Sequence, residues 1–173
     1  MQLIKATIED ITDLQSICRD AYTQVFASHW ELDGLELYLE LEFGTDRLLK
    51  ELASDHYEYH FITEDDGYIG FLKLNYKSDS AQSGQDNCEL EKIYILPQYG
   101  GRGIGRKAMA AVFEMARSRN KQQLFLCVID TNAPAITFYQ KLGFDLHSRA
   151  RLEVPHFKEE LRGMHRMMLK LAD

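Results

Sequence analysis

The sequence has no long apolar run and only three cysteines in 173 residues. No stretch of 18 consecutive apolar residues occurs, and the opening residues MQLIKATIED lack the apolar core of a signal peptide. We therefore expect a cytoplasmic protein without a membrane partner. Cys18, Cys88 and Cys127 are far apart and lack the paired spacing of a zinc ribbon, which predicts reduced thiols and no metal. The length predicts a single domain over residues 1–173.

Basic residues are scarce between Trp30 and Asp66, although the net charge of the chain is only −7. This segment holds twelve acidic residues against two basic ones, so its own charge is −10 and the rest of the chain carries +3. The segment from Pro97 to Lys121 has the opposite bias, with six basic residues and one acidic residue. One region therefore suits a cation and the other a polyanion, although a solvated surface explains either bias taken alone.

Hydrophobic periodicity predicts an α/β chain without internal repeats or linkers. The pattern QLIKATI predicts a first strand, and the capping-box pattern TIED then opens a helix through about Phe26. One broken helix or two short helices, divided at Gly44, come next. A β-hairpin follows, turning at Asp65, Asp66 and Gly67, and the polar stretch KSDSAQSGQDN after it indicates a mobile loop. The C-terminal half predicts a strand, a helix over residues 103–119, the apolar strand QLFLCVI, a further helix and two final strands.

Glycine is concentrated in the stretch YILPQYGGRGIGRK, which holds four of the eleven glycines: Gly100, Gly101, Gly103 and Gly105. Glycines let the backbone take positive φ and let a ligand approach without a Cβ in the way. Successive backbone amides at a helix N-terminus favour an anion. Three basic residues add positive charge: Arg102, Arg106 and Lys107. The stretch therefore predicts a phosphate cradle, whereas a merely tight turn would need only one or two glycines.

Two well-known phosphate-binding patterns fit this stretch incompletely. A Walker loop places Lys and a hydroxyl residue at its end, whereas two basic residues follow Gly105 here, so the magnesium ligand is missing. A Rossmann dinucleotide fold fits better, since Gly103, Gly105 and Ala108 satisfy its spacing and Asp130 ends the next strand. However, LPQY separates the strand from the glycines, and only about forty residues follow the βαβ unit. A dinucleotide-binding oxidoreductase stays open as an alternative.

Two stretches of the chain resemble the signatures of the GNAT acetyltransferase superfamily. LPQYGGRGIGRKAM corresponds to its R/Q-x-x-G-x-G/A signature, and NAPAITFYQKLGF corresponds to N-x-x-A-x-x-F-Y-x-K-L-G-F on its last helix. One position departs from the pattern, since Gly100 stands where the superfamily has Arg or Gln. The resemblance covers essentially the whole chain. It implies an α/β (α+β) GNAT fold, with one mixed, mostly antiparallel twisted sheet of six to seven strands flanked by about four helices.

The resemblance also implies acetyl-CoA as the co-substrate, with no metal. In the superfamily the amides of the glycine loop hold its pyrophosphate, which corresponds here to Gly101, Arg102, Gly103, Ile104, Gly105 and Arg106. The pantetheine arm lies along the preceding strand, at the backbone of Ile93, Tyr94 and Ile95. Asn132 corresponds to the residue that bonds this arm, although Asn before a helix also serves as an N-cap. We expect Arg102 and Arg106 to compensate partly for the side chain missing at Gly100.

The reaction that the resemblance implies needs two proton transfers. An ammonium with a pKa of about 10 must lose a proton before its nitrogen attacks, and the departing thiolate is helped by a proton donor. Tyr139 matches the general acid of the superfamily. Glu89 and Glu91 are predicted on one face of a strand, where different members place the carboxylate that acts as base. The amide of Ile95 is the natural hydrogen-bond donor to the oxyanion.

The acidic segment predicts the acceptor. In this superfamily the N-terminal helices shape the acceptor pocket, and Glu36 and Glu40 are i,i+4 neighbours that can face one multivalent cation. The pattern also resembles bacterial spermidine/spermine N-acetyltransferases, so a polyamine is the first expectation and a peptide or protein amine the second. We expect a small-molecule partner and no nucleic acid, and the sequence is compatible with a homodimer. An acyl-CoA-binding module without turnover is a further alternative, against which Tyr139 and the strand carboxylates argue.

Overall fold

The computed structural model describes residues 1–65, 67–77 and 86–171. Its strands are β1 (Gln2–Lys5), β2 (Tyr57–Glu64), β3 (Gly67–Asn75), β4 (Asn87–Ile95), β5 (Gln123–Ile129), β6 (Asp145–Arg151) and β7 (Gly163–Lys170). They form one seven-stranded sheet in the order β1-β2-β3-β4-β5-β7-β6. The pair β4 and β5 is parallel, and the other neighbouring pairs are antiparallel. The prediction of a mixed, mostly antiparallel sheet is therefore confirmed.

The described residues form five α-helices: α1 (Ile11–Phe26), α2 (Gly34–Phe43), α3 (Thr45–Leu52), α4 (Ile104–Ser118) and α5 (Ala133–Lys141). Gly44 separates α2 from α3, so the predicted broken helix is two short ones and the count exceeds the expected four. The chain enters α1 through a capping box. In this box the Thr7 hydroxyl accepts a hydrogen bond from the Glu9 amide, and the Asp10 carboxylate accepts one from the Thr7 amide.

Helices cover both faces of the sheet. On one face α1, α2 and α3 pack around Phe43, Phe61 and Phe71, and on the other α4 and α5 pack around Leu72 and Leu126. These side chains are at most 2% exposed, and burying each contributes about 1.5–3 kcal/mol. The central strands are therefore fixed from both sides. Among the described residues, no helix combines the length and apolarity needed to cross a bilayer.

The predicted hairpin and the predicted C-terminal helices are present. The hairpin joins β2 and β3, and Gly67 begins β3. Asp66 of the predicted turn and residues 78–85 of the predicted mobile loop lie outside the described residues. The helix predicted over residues 103–119 is α4, with Gly103 at its N-cap.

Strand β4 is irregular in two ways. A β-bulge at Glu91 shifts its register against β3 between Lys73 and Leu74. The bulge turns both Glu91 and Lys92 toward the face covered by α2 and α3, where their side chains find partners. In addition, the ladder between β4 and β5 ends at Leu90, although both strands continue beyond it. The two strands therefore diverge and open a gap toward their C-terminal ends.

Candidate active site

A cavity of about 430 Å³ lies in the gap between β4 and β5. One wall is formed by residues 91–95 of β4, and the opposite wall by residues 127–129 of β5. Asn132 and Tyr139 contribute from the start and body of α5, and aromatic side chains of α1 and α2 close the far end. The cavity therefore brings together the predicted pantetheine strand, the predicted general acid and one of the two predicted bases.

The backbone of β4 presents hydrogen-bonding groups to this cavity. The Leu96 amide donates to the Ile69 carbonyl of β3 at 2.8 Å. Because amide direction alternates along a strand, the amides of Ile93 and Ile95 point the other way, toward the gap. They lie beyond Leu90, where the ladder with β5 ends. This edge of β4 can therefore pair with an extended ligand, as predicted for a pantetheine arm.

The glycine loop between β4 and α4 has the geometry of an anion site. Gly101 and Gly103 have φ of +73° and +75°, and a Cβ at either position would meet no atom within 4 Å. Among the described residues, none accepts a hydrogen bond from the backbone amides of residues 101–106. These amides stand at the start of α4, where the helix dipole adds positive potential. Their number and direction fit the pyrophosphate of acetyl-CoA.

The side chains of this loop have separate roles. Ile104 is buried, so only its amide can serve a ligand. A Cβ on Gly105 would lie 3.5 Å from the Phe138 ring, which shows how closely α4 approaches α5. Arg102 pairs with Glu64 at 2.7 Å, whereas Arg106 is exposed and makes no ion pair with any described residue. Of the two arginines predicted to compensate for Gly100, Arg106 is thus the less engaged.

Asn132 acts as the N-cap of α5. Its Oδ1 accepts a hydrogen bond from the Ala135 amide at 3.2 Å. The side-chain amide nitrogen keeps two donors, and the residue lines the cavity. The structure therefore shows Asn132 as a helix cap. Its binding of the pantetheine arm stays a prediction, with which the side-chain amide nitrogen at the cavity is compatible.

Tyr139 lies on α5, and its side chain lines the cavity. Its ring packs edge-to-face against Phe138 and Phe144, with centroid distances of 5.2 and 5.7 Å. Burial raises the pKa of Tyr139 to about 12. The phenol therefore keeps its proton at neutral pH, which is the state required of a proton donor.

The two predicted bases have different surroundings. Glu91 lines the cavity, and its carboxylate contacts Lys73 Nζ at 2.6 Å and Asn75 Nδ2 at 2.8 Å. Glu89 is absent from the described residues that line the cavity, and it lies 4.0 Å from Cys127 Sγ. Burial, together with the charge of Glu89, raises the pKa of Cys127 to about 11, so this thiol stays protonated. The structure thus places Glu91, and not Glu89, at the cavity wall.

Aromatic side chains form the far end of the cavity: Tyr22, Phe26, Tyr38, Tyr94 and Phe157. The Tyr22 ring centroid lies 4.8 Å from those of Phe26 and Tyr38. Phe157 belongs to the segment 156–158 before β7, and two backbone hydrogen bonds, of 2.8 and 2.9 Å, join this segment to residues 29–31 after α1. Because aromatic faces attract cations, this end can hold an ammonium group. Sequence reasoning missed this role of their side chains, since in sequence they are indistinguishable from core aromatics; Tyr94 was predicted only for its backbone.

Lys92 is a cation in the cavity wall that sequence reasoning also missed. Its ammonium lies 3.0 Å from Glu42 of α2. Burial opposes its charge, but Tyr38 and Glu42 more than offset this and raise the pKa of Lys92 above its ordinary value. Two successive polar residues, Glu91 and Lys92, interrupt the alternation of the strand, and this was the available signal for the bulge.

The predicted substrate-binding residues Glu36 and Glu40 lie outside the set that lines the cavity. Both are on α2, with side chains 68% and 73% exposed. Both contact Arg19 of α1, Glu36 through a short ion pair and Glu40 at 3.6 Å. Their role in binding an amine stays a prediction.

A glycine loop, a diverging strand pair and a tyrosine on the next helix together define an acyl-CoA site. The profile of the Acetyltransferase (GNAT) family matches residues 14–144 of the chain. The protein therefore belongs to this family, and it is an N-acetyltransferase that uses acetyl-CoA. The alternative of a dinucleotide-binding oxidoreductase is wrong. A Rossmann sheet is mostly parallel, whereas in this sheet the β4–β5 pair is parallel and the other neighbouring pairs are antiparallel. Within the described ranges, no group of three or more His, Cys, Asp or Glu side chains could hold a metal ion.

Two similar proteins align with most of the chain at low identity, and a third aligns with one third of it at higher identity. An uncharacterized N-acetyltransferase of Lactobacillus delbrueckii subsp. lactis is 25% identical over 146 residues, which are 83% of each chain. Spermidine N(1)-acetyltransferase of Thermoplasma acidophilum is 22% identical over 148 residues, which are 83% of this chain and 88% of that relative. Thialysine N-epsilon-acetyltransferase of Mus musculus is 44% identical over 57 residues, which are 33% of this chain and 34% of the mouse protein.

A solved structure shares the whole fold. The PaiA N-acetyltransferase of Thermoplasma acidophilum, in complex with coenzyme A, gives a TM-score of 0.77 over 98% of both chains. The two sequences are 19% identical, so the likeness establishes the fold.

Gly103 tests the anion site. We expect Gly103→Asp to abolish the rise in melting temperature that acetyl-CoA causes, because it places a carboxylate among the amides of residues 101–106. Gly103→Asn is the matched control, since Asn tolerates the same positive φ and adds no charge. It should retain a large part of the shift in differential scanning fluorimetry. Equal shifts in the Asp variant and the parent would exclude this loop as the anion site.

Tyr139 tests the proton donor. We expect Tyr139→Phe to lower kcat by about 10²- to 10⁴-fold, because the ring packing persists while the proton donor is lost. The affinity for acetyl-CoA should not change. Tyr68→Phe, at a half-exposed ring on β3, is the control and should keep the parent kcat. An unchanged kcat of the Tyr139 variant at saturating substrates would remove this residue from the mechanism.

Proposed function

We propose that this protein transfers an acetyl group from acetyl-CoA to a primary amine of a polyamine, such as spermidine or spermine. Transfer occurs by direct attack in a ternary complex, in a single catalytic domain of residues 1–173 located in the cytoplasm. The main support for the transfer reaction is the cavity between β4 and β5, because the open edge of β4, Tyr139 and the aromatic end all line it. The two substrates would enter this cavity from opposite ends.

One half of the site binds acetyl-CoA through the main chain. The amides of residues 101–106 hold the pyrophosphate, and Arg106 adds charge at the same helix start. The Ile93 amide pairs with the pantetheine arm, the Asn132 side chain supports this arm from α5, and the Ile95 amide is left for the thioester carbonyl. The thioester is thereby held against β4, between Tyr139 and the aromatic end.

The residues around the thioester divide the proton transfers between them. A carboxylate of β4 accepts the proton that the ammonium must lose, directly or through a water, and Glu91 is the better placed of the two. The amine nitrogen then attacks the thioester carbon, and the Ile95 amide donates a hydrogen bond to the resulting oxyanion. When the C–S bond breaks, Tyr139 donates its proton to the thiolate, and the proton that the attacking nitrogen gives up as the amide forms restores the phenol. The products are the N-acetylated amine and free coenzyme A.

Three features support a polyamine acceptor. The far end of the cavity is aromatic, which suits an ammonium on an aliphatic chain. Glu36 and Glu40 lie on α2, the helix that also supplies Tyr38 to this end, and they form an acidic pair near one edge of α1. A relative that aligns over most of the chain is named for spermidine. A second ammonium could gain charge-assisted contacts that a monoamine lacks.

The acceptor is tested by an amine panel with acetyl-CoA, read as thiol release. We expect spermidine or spermine to have a higher kcat/KM than monoamines, and this preference should fall with salt because screening acts over about 8 Å at physiological ionic strength. The double variant Glu36→Gln/Glu40→Gln should raise KM for spermidine and leave KM for acetyl-CoA unchanged.

The control for this double variant is Glu114→Gln, which changes an exposed acid on α4 that pairs with Arg117 one turn further along the same helix. It should behave as the parent does. If the double variant handles spermidine like the parent, or if a monoamine or a peptide amine is the better substrate throughout, the polyamine assignment is wrong.

A further inference from the structure

Six charged side chains of alternating sign form a chain of ion pairs around the β4 bulge, and we call this set the charge ring. Its successive contacts are Glu91–Lys73 at 2.6 Å, Lys73–Glu51 at 2.9 Å, Glu51–Arg47 at 3.1 Å, Arg47–Glu42 at 2.9 Å and Glu42–Lys92 at 3.0 Å. The first and last members are neighbours in the sequence, so the ring closes on the bulge. It has no net charge, and both of its ends line the cavity.

Lys73 is the most deeply buried member of the ring. Its side chain is 1% exposed, and its ammonium lies 4.7 Å from the Tyr57 ring centroid and 5.5 Å from that of Tyr59. A buried ion pair is weak support for stability, because apolar residues of similar volume often replace it without loss. Stability alone therefore does not account for a charged side chain at this depth, and the groups that the Lys73 ammonium contacts indicate its role.

Of the two carboxylates that Lys73 contacts, the one at the cavity wall belongs to Glu91. Its Oε2 accepts from Lys73 and its Oε1 accepts from Asn75, so both oxygens are fixed from β3. Each oxygen keeps a further lone pair for a water or an ammonium in the cavity. Glu91 is therefore held in one orientation, whereas Glu89 is not among the described residues at the cavity wall.

We propose that Lys73 is a positioning residue for the acetyl transfer, because it holds the Glu91 carboxylate at the cavity wall as the base that accepts the proton of the amine. This inference rests on the proposed function. The remaining members of the ring, Glu51, Arg47, Glu42 and Lys92, tie this strand to α2 and α3. The strand that carries Glu91 is thus tied to α2, the helix that also supplies Tyr38 to the acceptor end of the cavity.

The test is Lys73→Met, which keeps the length of the side chain and removes its charge. We expect kcat to fall by up to about 10²-fold, because a misplaced base loses its geometry, while KM for acetyl-CoA stays at the parent value. Lys5→Met is the matched control: it removes a Lys–Glu pair of the same 2.6 Å length, with Glu58, on the outer strands. This control should leave kcat unchanged.

Assay pH separates positioning from a general loss of structure. A base is needed only while the amine is protonated, so the deficit of Lys73→Met should shrink as the assay pH approaches the amine pKa of about 10. A deficit that is equal at every pH would overturn the proposal. The ionisable groups around Glu91 are Lys73, Glu51 on the far side of Lys73, Tyr59, Lys92, Cys127, Tyr139, Tyr22, Tyr38 and Tyr94.

Two further variants keep the test decisive. Lys73→Met leaves Glu51 with Arg47 as its cation and the ring with a charge of −1, so Lys73→Met/Glu51→Gln, which restores zero net charge, is measured in parallel and should show the same pH-dependent deficit. Glu91→Gln should lose at least as much kcat as either variant. If Glu91→Gln is inactive while the Lys73 variants keep the parent kcat, only the positioning role is wrong. If Glu91→Gln keeps the parent kcat, Glu91 is not the base, and the positioning role is wrong as well.

Discussion

The divergence of β4 from β5 is the constraint on which the rest of the site depends. Parallel strands that stayed paired to their ends would satisfy each other's amides, and no cavity would exist between them. Because the ladder ends at Leu90, the last residues of β4 keep an open edge, and the side chains of α5 can reach across the gap. Helices pack against both faces of the sheet that contains this gap.

The acidic bias of the N-terminal segment has a different meaning in three dimensions than in the sequence. Much of it is neutralised inside the molecule: Glu42 and Glu51 belong to the charge ring, Glu58 pairs with Lys5 and Arg119, and Glu64 pairs with Arg102. The net charge of the segment from Trp30 to Asp66 therefore overstates the negative electrostatic potential that a ligand meets. What the cavity itself offers a cation is mainly the faces of aromatic rings, with Lys92 and Glu91 as its charged wall groups.

Features that follow from local chemistry could be predicted from the sequence. The glycine loop, the N-cap at Asn132 and the position of Tyr139 depend on backbone conformation and short spacings, and these are written in consecutive residues. The α/β class followed from the order of the elements, whereas the mixed, mostly antiparallel sheet was implied by the resemblance to the superfamily. The bulge at Glu91 had a local signal in the successive polar residues Glu91 and Lys92. The aromatic end and the charge ring could not be predicted, because each joins residues from several elements whose contacts exist only after packing. Lys73 illustrates this: in sequence it is one more polar residue in an alternating strand, and in the fold it is 1% exposed.

The two halves of the cavity are built from different parts of the chain. The edge of β4 and the glycine loop offer a ligand backbone amides, which every residue except proline carries, whereas the aromatic end offers side chains from α1, α2, β4 and the segment before β7. Under the proposed binding mode, substitutions whose side chains face away from the cavity can therefore accumulate along β4 and the loop, glycines aside, without loss of the co-substrate. Each substitution at the aromatic end, by contrast, changes the chemistry offered to the acceptor. A lineage with this architecture can exchange one amine for another while its acyl donor stays the same.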